Sequence, residues 1–317
     1  MDAAYTVSSP SSRPPTLGGL MLLIGFILMG GVLSTLLLFG GLMLADGVSF
    51  TAIQAQIQQL ATRPQTVANG WYRLMVLQAI NHLGSFLLPS LAYWYWIERQ
   101  QWSRFNRRSL ATVAGFPLIV ALIVVFFMPF DGLIIEWNQH LHLPDTLAPV
   151  ERWIRAKEAS LESVTKFLTT FASPLQLVVA LVVIAVIPAI GEETLFRGIL
   201  QRNLAIWTGN VHAGIWLAAF FFSAIHVQFL GFFPRMLLGA LFGYLYLWSG
   251  NLWVAILAHF VNNGVTVGMV YLHQQQLIPI DIERTESVPV LGALIAGALT
   301  AGLLVYFYRT NHDQPGG

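Results

Sequence analysis

Long apolar runs dominate this chain and restrict it to one class of fold. A membrane-spanning helix needs about 20 consecutive apolar residues, and eight runs approach or exceed that length. They occupy residues 17–45, 72–97, 111–130, 175–204, 211–230, 234–249, 251–271 and 289–308. Only 10% of the 317 residues are charged, whereas soluble domains have about 25%, so the chain cannot cover a water-facing surface of its size. We expect an all-α, polytopic membrane protein with about eight transmembrane helices.

The segments between these runs suggest how the chain is divided. Residues 1–16 are polar and rich in Pro and Ser, which predicts a disordered cytoplasmic tail. Residues 17–130 hold the first three helices. In 131–173, apolar residues recur at three- and four-residue intervals, which predicts an amphipathic helix along the membrane surface, either a connector or a lid. Residues 174–271 hold helices four to seven, and 272–317 hold an acidic loop, the last helix and a short tail.

Loop charges predict the orientation of the helices. The loop between helices two and three carries four arginines and one glutamate, which marks a cytoplasmic loop. The loop before the last helix carries Asp281, Glu283 and Glu286 and is expected outside. With eight spans, both termini are predicted to lie in the cytoplasm. The protein is expected to reside in the plasma (inner) membrane. One miscounted span would reverse everything downstream.

Composition also excludes some functions. The chain contains no cysteine, which rules out disulfides, cysteine nucleophiles and thiolate metal sites. Its formal net charge of +1 gives no support for nucleic-acid binding. The expected partners are therefore membrane lipid and a membrane-associated substrate, and no nucleic acid.

Charged residues inside the fourth apolar run are the strongest functional signal. A charge at the bilayer centre costs about 2.5–3.5 kcal/mol even on the gentler insertion scales, so such residues usually serve a function. Glu193 and Arg197 are four residues apart and can pair on one helix face. Glu192 is rotated by about 100° from Glu193. The two carboxylates are therefore predicted to have different partners.

Two later helices carry further polar residues with helical spacing. His226 follows Phe222 by one turn, and Asn263 follows His259 by one turn. Taken singly, a Glu–Arg pair is most often a structural salt bridge, and an intramembrane histidine is often hydrogen-bonded packing. Together, on helices so poor in charge, these clusters predict one buried polar site. Three other polar residues have no motif support and are interpreted as structural or interfacial: Asn81, His82 and His212.

These polar positions resemble a known family. Glu192-Glu193-x-x-x-Arg197, Phe222-x-x-x-His226 and His259-x-x-x-Asn263 look like the three signature motifs of the CPBP intramembrane proteases. That family includes the CAAX prenyl endopeptidases of the Rce1 type and the bacteriocin-processing and immunity proteins of the Abi group. The resemblance covers about residues 190–265. It implies a peptidase in which Glu192 is the general base and holds the attacking water together with His226.

The same resemblance implies roles for the other site residues. His259 and Asn263 would donate hydrogen bonds to the developing oxyanion, while Glu193 and Arg197 would orient and charge the site. Such donors and an activated water are what peptide hydrolysis requires. Two nearby aromatic residues, Phe196 and Phe222, could line a pocket for a lipid or an apolar peptide, although packing or lipid contact is the more ordinary reading.

The sequence leaves open whether the site binds a metal. Two histidines and a carboxylate can hold zinc with a water as the fourth ligand, which makes Glu192, His226 and His259 the candidate ligands. However, Glu192 with His226 could also activate water directly, and no His-Glu-x-x-His motif is present.

The predicted function is an intramembrane endopeptidase acting on a membrane-associated peptide, prenylated or not. One alternative is a catalytically silent bacteriocin-immunity or scaffold protein. A second is a proton-coupled secondary transporter using Glu192 and the histidines. Such transporters often show duplicated halves with discontinuous helices in matching positions. Here only one broken helix is predicted, the fourth, with its bend near Pro188 and Gly191.

Overall fold

The computed structural model describes residues 16–99, 101–279 and 289–312, and these residues form ten helices and no strand. The helices are α1 (Leu17–Asp46), α2 (Phe50–Thr62), α3 (Gly70–Ile97), α4 (Leu118–Gln139), α5 (Ala148–Leu168), α6 (Pro174–Thr208), α7 (Val211–Ala224), α8 (Phe232–Ser249), α9 (Leu252–Gln274) and α10 (Val290–His312). The predicted N-terminal tail, up to residue 15, and the charged residues of the predicted acidic loop lie outside the described residues.

Seven of the described helices are long and apolar enough to cross a membrane, so the protein is an all-α, polytopic membrane protein. The predicted fifth span, 211–230, is wrong over its last six residues. Helix α7 ends at Ala224 and has 14 residues, which at 1.5 Å per residue is about 21 Å, short of the roughly 30 Å hydrocarbon core. The chain then turns at Val227, whose φ is +52°. Hydropathy did not mark this end because the sequence stays apolar beyond it.

Two further differences concern the N-terminal half. The third span runs from Leu118 to Gln139 instead of 111–130. Gly115, with φ +77°, turns the chain just before this helix, and Asp131, which ended the apolar pattern, is buried inside the helix with 5% of its surface exposed. Helix α2 was not predicted. It is short, and the Ser49 hydroxyl caps it by accepting from the Ala52 N–H.

Helices α3 and α6 are continuous but contain π-helical turns, which are often found at functional sites. In α3 these turns are Leu83–Leu87 and Tyr93–Ile97. In α6 they are Leu181–Val186 and Thr194–Gln201. The sequence predicted that α6 bends near Pro188 and Gly191, and the irregular turns flank that part of the helix on both sides.

Helix α6 occupies the centre of the bundle. It packs against α3, α9 and α7, while α7 also packs against α8, α10 against α4, and α1 against α3. Some of these contacts need glycine. A Cβ on Gly30 of α1 would lie 2.0 Å from the Gly84 carbonyl oxygen of α3, and a Cβ on Gly243 of α8 would lie 2.7 Å from Gln201 Oε1 of α6. Helices α1 and α3 therefore approach each other backbone to backbone at Gly30, and the Gln201 side chain of α6 lies directly against the α8 backbone at Gly243.

The two ends of the bundle are made by different segments. At one end, the arginine-rich loop contacts the turn between α8 and α9: the Arg107 N–H donates to the Gly250 carbonyl at 2.8 Å. The end of α10 lies there too, because Asn311 Oδ1 accepts from the Ala114 N–H at 2.9 Å. The first turn of α1 also lies near that end, beside Tyr93. Both termini of the described chain therefore lie at the arginine-rich end.

The opposite end carries the amphipathic helix α5 and the loop after α7. Asn138, at the end of α4, donates to the Phe229 carbonyl at 3.1 Å. Glu158 of α5 accepts from the Leu230 N–H at 3.1 Å. The predicted amphipathic helix within 131–173 is therefore confirmed as a helix, and it packs against the loop that carries His226.

Candidate active site

Glu193 is the most enclosed charged residue of the site. Its Oε1 accepts hydrogen bonds from Arg197 Nη1 and from His259 Nδ1, both at 2.8 Å. The side chains of Glu193 and Arg197 are 0% and 1% exposed. Arg197 Nη2 donates to the Gly239 carbonyl at 2.9 Å. These contacts tie α6 to both α8 and α9, and they leave Glu193 inaccessible to a substrate.

Glu192 has a different partner, as the rotation between adjacent helical residues predicted. Its Oε1 lies 2.6 Å from His82 Nε2, across the interface between α6 and α3. The two side chains are 5% and 17% exposed. The other oxygen, Oε2, makes no hydrogen bond to the described residues, and it is not enclosed in the way that Glu193 Oε2 is. Glu192 therefore has one carboxylate oxygen, Oε2, that is available to bind another group.

His82 is the site residue that the sequence analysis missed. We interpreted it as structural or interfacial because it belongs to no motif, and it is 110 positions away from Glu192. The available signal was its position: an ionisable residue near the middle of a spanning helix is a functional candidate by default. In contrast, Asn81 is exposed and bonds only Ser85, and His212 pairs with Tyr244 away from the site.

His226 lies just beyond α7, in the loop at the α5 end of the bundle. Its Nδ1 is 2.8 Å from the Phe222 carbonyl oxygen. A carbonyl can only accept, so Nδ1 carries the proton and Nε2 of the neutral ring is an acceptor. The loop is held by the Asn138 and Glu158 bonds described above and by Arg235, which donates to Gln228 Oε1 at 2.6 Å.

His259 and Asn263 both lie on α9, one turn apart. His259 Nδ1 donates to Glu193, so its Nε2 is the atom left for a substrate. Asn263 Nδ2 donates to the Ile184 carbonyl of α6 at 3.0 Å. Its Oδ1 accepts from Asn262 at 3.1 Å. One amide hydrogen of Asn263 is free of these contacts.

Aromatic side chains pack around these groups. The Phe222 ring lies 5.3 Å from His226, 6.0 Å from His259 and 5.2 Å from Phe196, centroid to centroid. The Arg197 guanidinium lies 4.6 Å from the Phe222 ring centre, within range for a cation–π contact. Phe196 and Phe222 are 2% and 4% exposed and belong to the main core. They pack beneath the site, and a role in lining a pocket stays a prediction.

The three candidate metal ligands do not form a metal-binding cluster in the described part of the chain. Among the described residues, no group of three or more histidine, aspartate or glutamate side chains is placed to hold a metal ion. Glu192 is bonded to His82, and His259 is bonded to Glu193. These bonds use Glu192 Oε1 and His259 Nδ1 and leave Glu192 Oε2, His259 Nε2 and His226 Nε2 outside them, so metal binding stays a prediction, and we assign no chemical step to a metal.

Comparison with known proteins identifies the part of the chain that carries this site. Residues 174–265 match the family model described as type II CAAX prenyl endopeptidase Rce1-like. This segment of the chain is similar to the Rce1-like family. The resemblance seen in the three motifs is thus confirmed, and the match supports a CAAX-type intramembrane protease at the level of the family.

The Rce1-like segment contains all the motif residues but not His82. A curated relative, the uncharacterized protein YpbD of Bacillus subtilis (strain 168), is 37% identical over 81 residues. That alignment covers 24% of this chain and 38% of the relative. No solved structure matches the chain. The roles of the individual residues therefore depend on the geometry described above.

Proposed function

We propose that the protein is an intramembrane endopeptidase of the CAAX type, in which Glu192 activates the attacking water. The observation that carries this proposal is the contrast between the two adjacent carboxylates. Glu193 is enclosed and shares one oxygen between Arg197 and His259, whereas Glu192 is anchored through one oxygen and keeps the other free. A general base needs a free acceptor within reach of the proton it removes.

The reaction uses one water and one peptide bond. Glu192 Oε2 removes a proton from the water, whose oxygen attacks the carbonyl carbon of the peptide. The carbonyl oxygen becomes the oxyanion of a tetrahedral intermediate. The carbon–nitrogen bond then breaks, and the departing amine takes the proton from Glu192. The products are a new carboxylic acid, which then loses its proton to the amine or to water, and a new amine, and Glu192 returns to its starting state.

His226 and the two α9 residues supply the remaining contacts. The tautomer fixed by the Phe222 carbonyl leaves His226 Nε2 as an acceptor, which can help to hold the water. The oxyanion is stabilised by donors placed in advance. The free amide hydrogen of Asn263 is one such donor. His259 can donate from Nε2 only as an imidazolium, because its Nδ1 already donates to the Glu193 carboxylate.

The substrate that fits this setting is a peptide presented from the membrane. Every carboxylate and histidine of the site except His226 projects from a membrane-spanning helix, so the scissile bond must reach it from within or beside the bilayer. A prenyl group on the peptide would hold it there. We therefore propose a membrane-associated, prenylated peptide, with membrane lipid as the surrounding partner.

We also propose that the arginine-rich end faces the cytoplasm and that the protein resides in the plasma (inner) membrane. Both described termini lie at that end, which agrees with the positive-inside prediction. The chain has no cysteine, so single cysteines can test this proposal. Ser109→Cys at the arginine-rich end should be protected from an impermeant maleimide in intact cells, while Thr146→Cys at the other end should react. The reverse pattern would overturn the orientation.

The decisive experiment is cleavage of a prenylated peptide by the purified protein in nanodiscs. Glu192→Gln removes the base while it preserves size, and Glu162→Gln changes an exposed glutamate on α5 as a matched control. We expect peptide release by the wild type and by the control, and loss by at least about 100-fold in Glu192→Gln, the range that general-base removal typically costs. An unmodified peptide and a chelator form the other arms.

The outcomes separate the candidates. Cleavage of both peptides would keep the peptidase but remove the prenyl requirement. Loss of cleavage on chelation would show that a metal is needed. If folded wild-type protein cuts neither peptide, the silent immunity or scaffold alternative replaces the peptidase. The transporter alternative predicts discontinuous helices. The fold gives it no support, because α3 and α6 are both continuous through their π-helical turns.

A further inference from the structure

We infer that His82 is a positioning residue that holds the Glu192 carboxylate in the orientation needed for base catalysis. This inference rests on the proposed function, and it assigns part of the catalytic machinery to α3, outside the Rce1-like segment. His82 contacts Glu192 and not the reacting atoms, so it would act through the carboxylate.

The hydrogen bond has a single possible polarity when Glu192 is ionised. A carboxylate only accepts, so His82 Nε2 carries the hydrogen and donates it to Oε1. The N···O distance of 2.6 Å is at the short end for a bond to a charged group. This bond engages one of the two carboxylate oxygens and leaves Oε2 without a hydrogen bond to the described residues.

His82 is itself held in place. Its ring stacks on Phe86, one turn later, with centroids 4.8 Å apart and planes inclined by 30°. The same stretch of α3 packs against the residue before Glu192, because a Cβ on Gly191 would lie 3.4 Å from Phe86 Cβ. The donor and the acceptor are thus fixed by packing on both sides of the interface.

Other cations of the site are already engaged. Arg197 and His259 both donate to Glu193 Oε1, and Glu192 bonds none of them. His82 is therefore the hydrogen-bond partner of Glu192 within the described part of the chain. Glu193 also bonds through one oxygen only, but its Oε2 is enclosed, whereas Oε2 of Glu192 is not. Here one oxygen is left available, as a base requires.

The experiment compares two substitutions at His82 in the peptide assay. His82→Phe keeps a flat ring that can stack on Phe86 but removes the donor. His82→Gln keeps an N–H close to the position of Nε2. Asn81→Ala, an exposed neighbour on the same helix, is the control. We expect kcat to fall about 100-fold in His82→Phe, the cost of a misplacement of about 1 Å, with KM little changed.

Rescue decides whether the role is one of positioning. His82→Gln should recover at least about a tenth of the wild-type kcat, and thermal unfolding should show that every variant is folded at the assay temperature. If kcat is as low in His82→Gln as in His82→Phe, the inference is overturned. A wild-type kcat in His82→Phe while Glu192→Gln is inactive would also overturn it, and that result would leave the proposed function intact.

A second readout does not depend on turnover. Protein labelled with ¹⁵N-histidine should show a low-field N–H proton resonance from the His82–Glu192 bond, present in Asn81→Ala, absent in His82→Phe and shifted in Glu192→Gln. Absence of this resonance in the wild type would overturn the inference directly. If the resonance is present but the wild type cuts no peptide, the proposed function fails, and His82 is a structural partner of Glu192 only.

Discussion

Asn263 donates its side-chain amide hydrogen to the carbonyl of Ile184, across the interface between α9 and α6. Ile184 is four residues before Pro188. In an α-helix the residue at 188 would donate its N–H to this carbonyl, but proline has none. Asn263 therefore satisfies an acceptor that the proline leaves open. A motif residue expected to bind the oxyanion also holds together the helix that carries Glu192.

This double role can be separated by substitution. Asn263→Ala should lower the free energy of unfolding by about 1–3 kcal/mol, because it removes the donor that Asn263 supplies to the Ile184 carbonyl. Pro188→Ala restores a backbone N–H at the position facing that carbonyl. The double variant should recover most of the lost stability and yet remain deficient in peptide cleavage. Thermal unfolding and the peptide assay give the two readouts.

If Pro188→Ala with Asn263→Ala recovers cleavage together with stability, Asn263 has only a structural role. If it recovers neither, the Ile184 carbonyl is not the reason that Asn263 is needed. Pro188→Ala alone serves as the control for effects of the new alanine.

The buried Glu193–Arg197 pair has a matched counterpart on the surface. Glu151 and Arg155 have the same i,i+4 spacing and the same 2.8 Å separation, but Arg155 is 38% exposed, whereas Arg197 is 1% exposed. Removing one partner of a buried pair costs about 3–5 kcal/mol, since the other charge is left without compensation. Arg197→Leu should therefore destabilise the protein by about that amount, and Arg155→Leu by much less. Equal losses, measured by denaturant titration of both variants, would contradict this reading of the site.

Val227, next to His226, has a left-handed backbone conformation that β-branched residues rarely adopt. That conformation costs roughly 1–2 kcal/mol. The side chain is 49% exposed, so little packing is lost on its removal. Val227→Gly should leave stability unchanged or raise it by up to about 1 kcal/mol, since the strain relieved exceeds the extra chain entropy of glycine.

The same change at Val76, which is 50% exposed in the middle of α3, should instead destabilise the protein by about 1 kcal/mol. Thermal unfolding of both variants gives the comparison. Similar losses at the two positions would show that the turn after α7 is not strained.

The hydrogen bonds of Glu151 predict that the local stability of the segment before α5 depends on pH. Its carboxylate accepts from the Leu143 N–H at 2.9 Å and from Arg155 and His142 at 2.8 Å. These bonds, the Leu143 bond first, lower the pKa of Glu151 from 4.5 to about 2. Because the pKa is lower in the folded state, the contribution to stability is complete above about pH 4.5 and is lost as the pH falls toward 2.

Hydrogen exchange can measure this effect. Amide protection at residues 143–155 should decrease over that window in the wild type. Glu151→Gln should show the weaker protection at all pH values, with no transition. A transition of the same size in both proteins would assign it to another group.

Hydropathy was sufficient for most of the architecture because the bilayer sets a minimum length for each span. Helices α1, α3 and α9 begin and end within a few residues of their predicted limits. It failed at α7, since the residues after Ala224 remain apolar while the backbone turns. Apolar character reports the surroundings of a residue, and it contains no information on whether the backbone there is helical.

The site was predictable only in part for a similar reason. Helical spacing was enough to separate the partners of Glu192 and Glu193, because a rotation of about 100° is a local property. The identity of the Glu192 partner depends on how α3 packs against α6, a long-range relationship that no local pattern contains. The second role of Asn263 also required the position of a carbonyl on another helix.

The backbone contact between Gly30 and Gly84 has a consequence for how the site is assembled during synthesis. Both glycines belong to helices that are made before α6, and Gly84 lies two residues after His82. Because segments made first can pair first, α1 and α3 can dock while the rest of the chain is still being made. His82 is then in place when Glu192 enters the bilayer. The Glu192 carboxylate can therefore form its hydrogen bond at once and does not remain unpaired in the lipid.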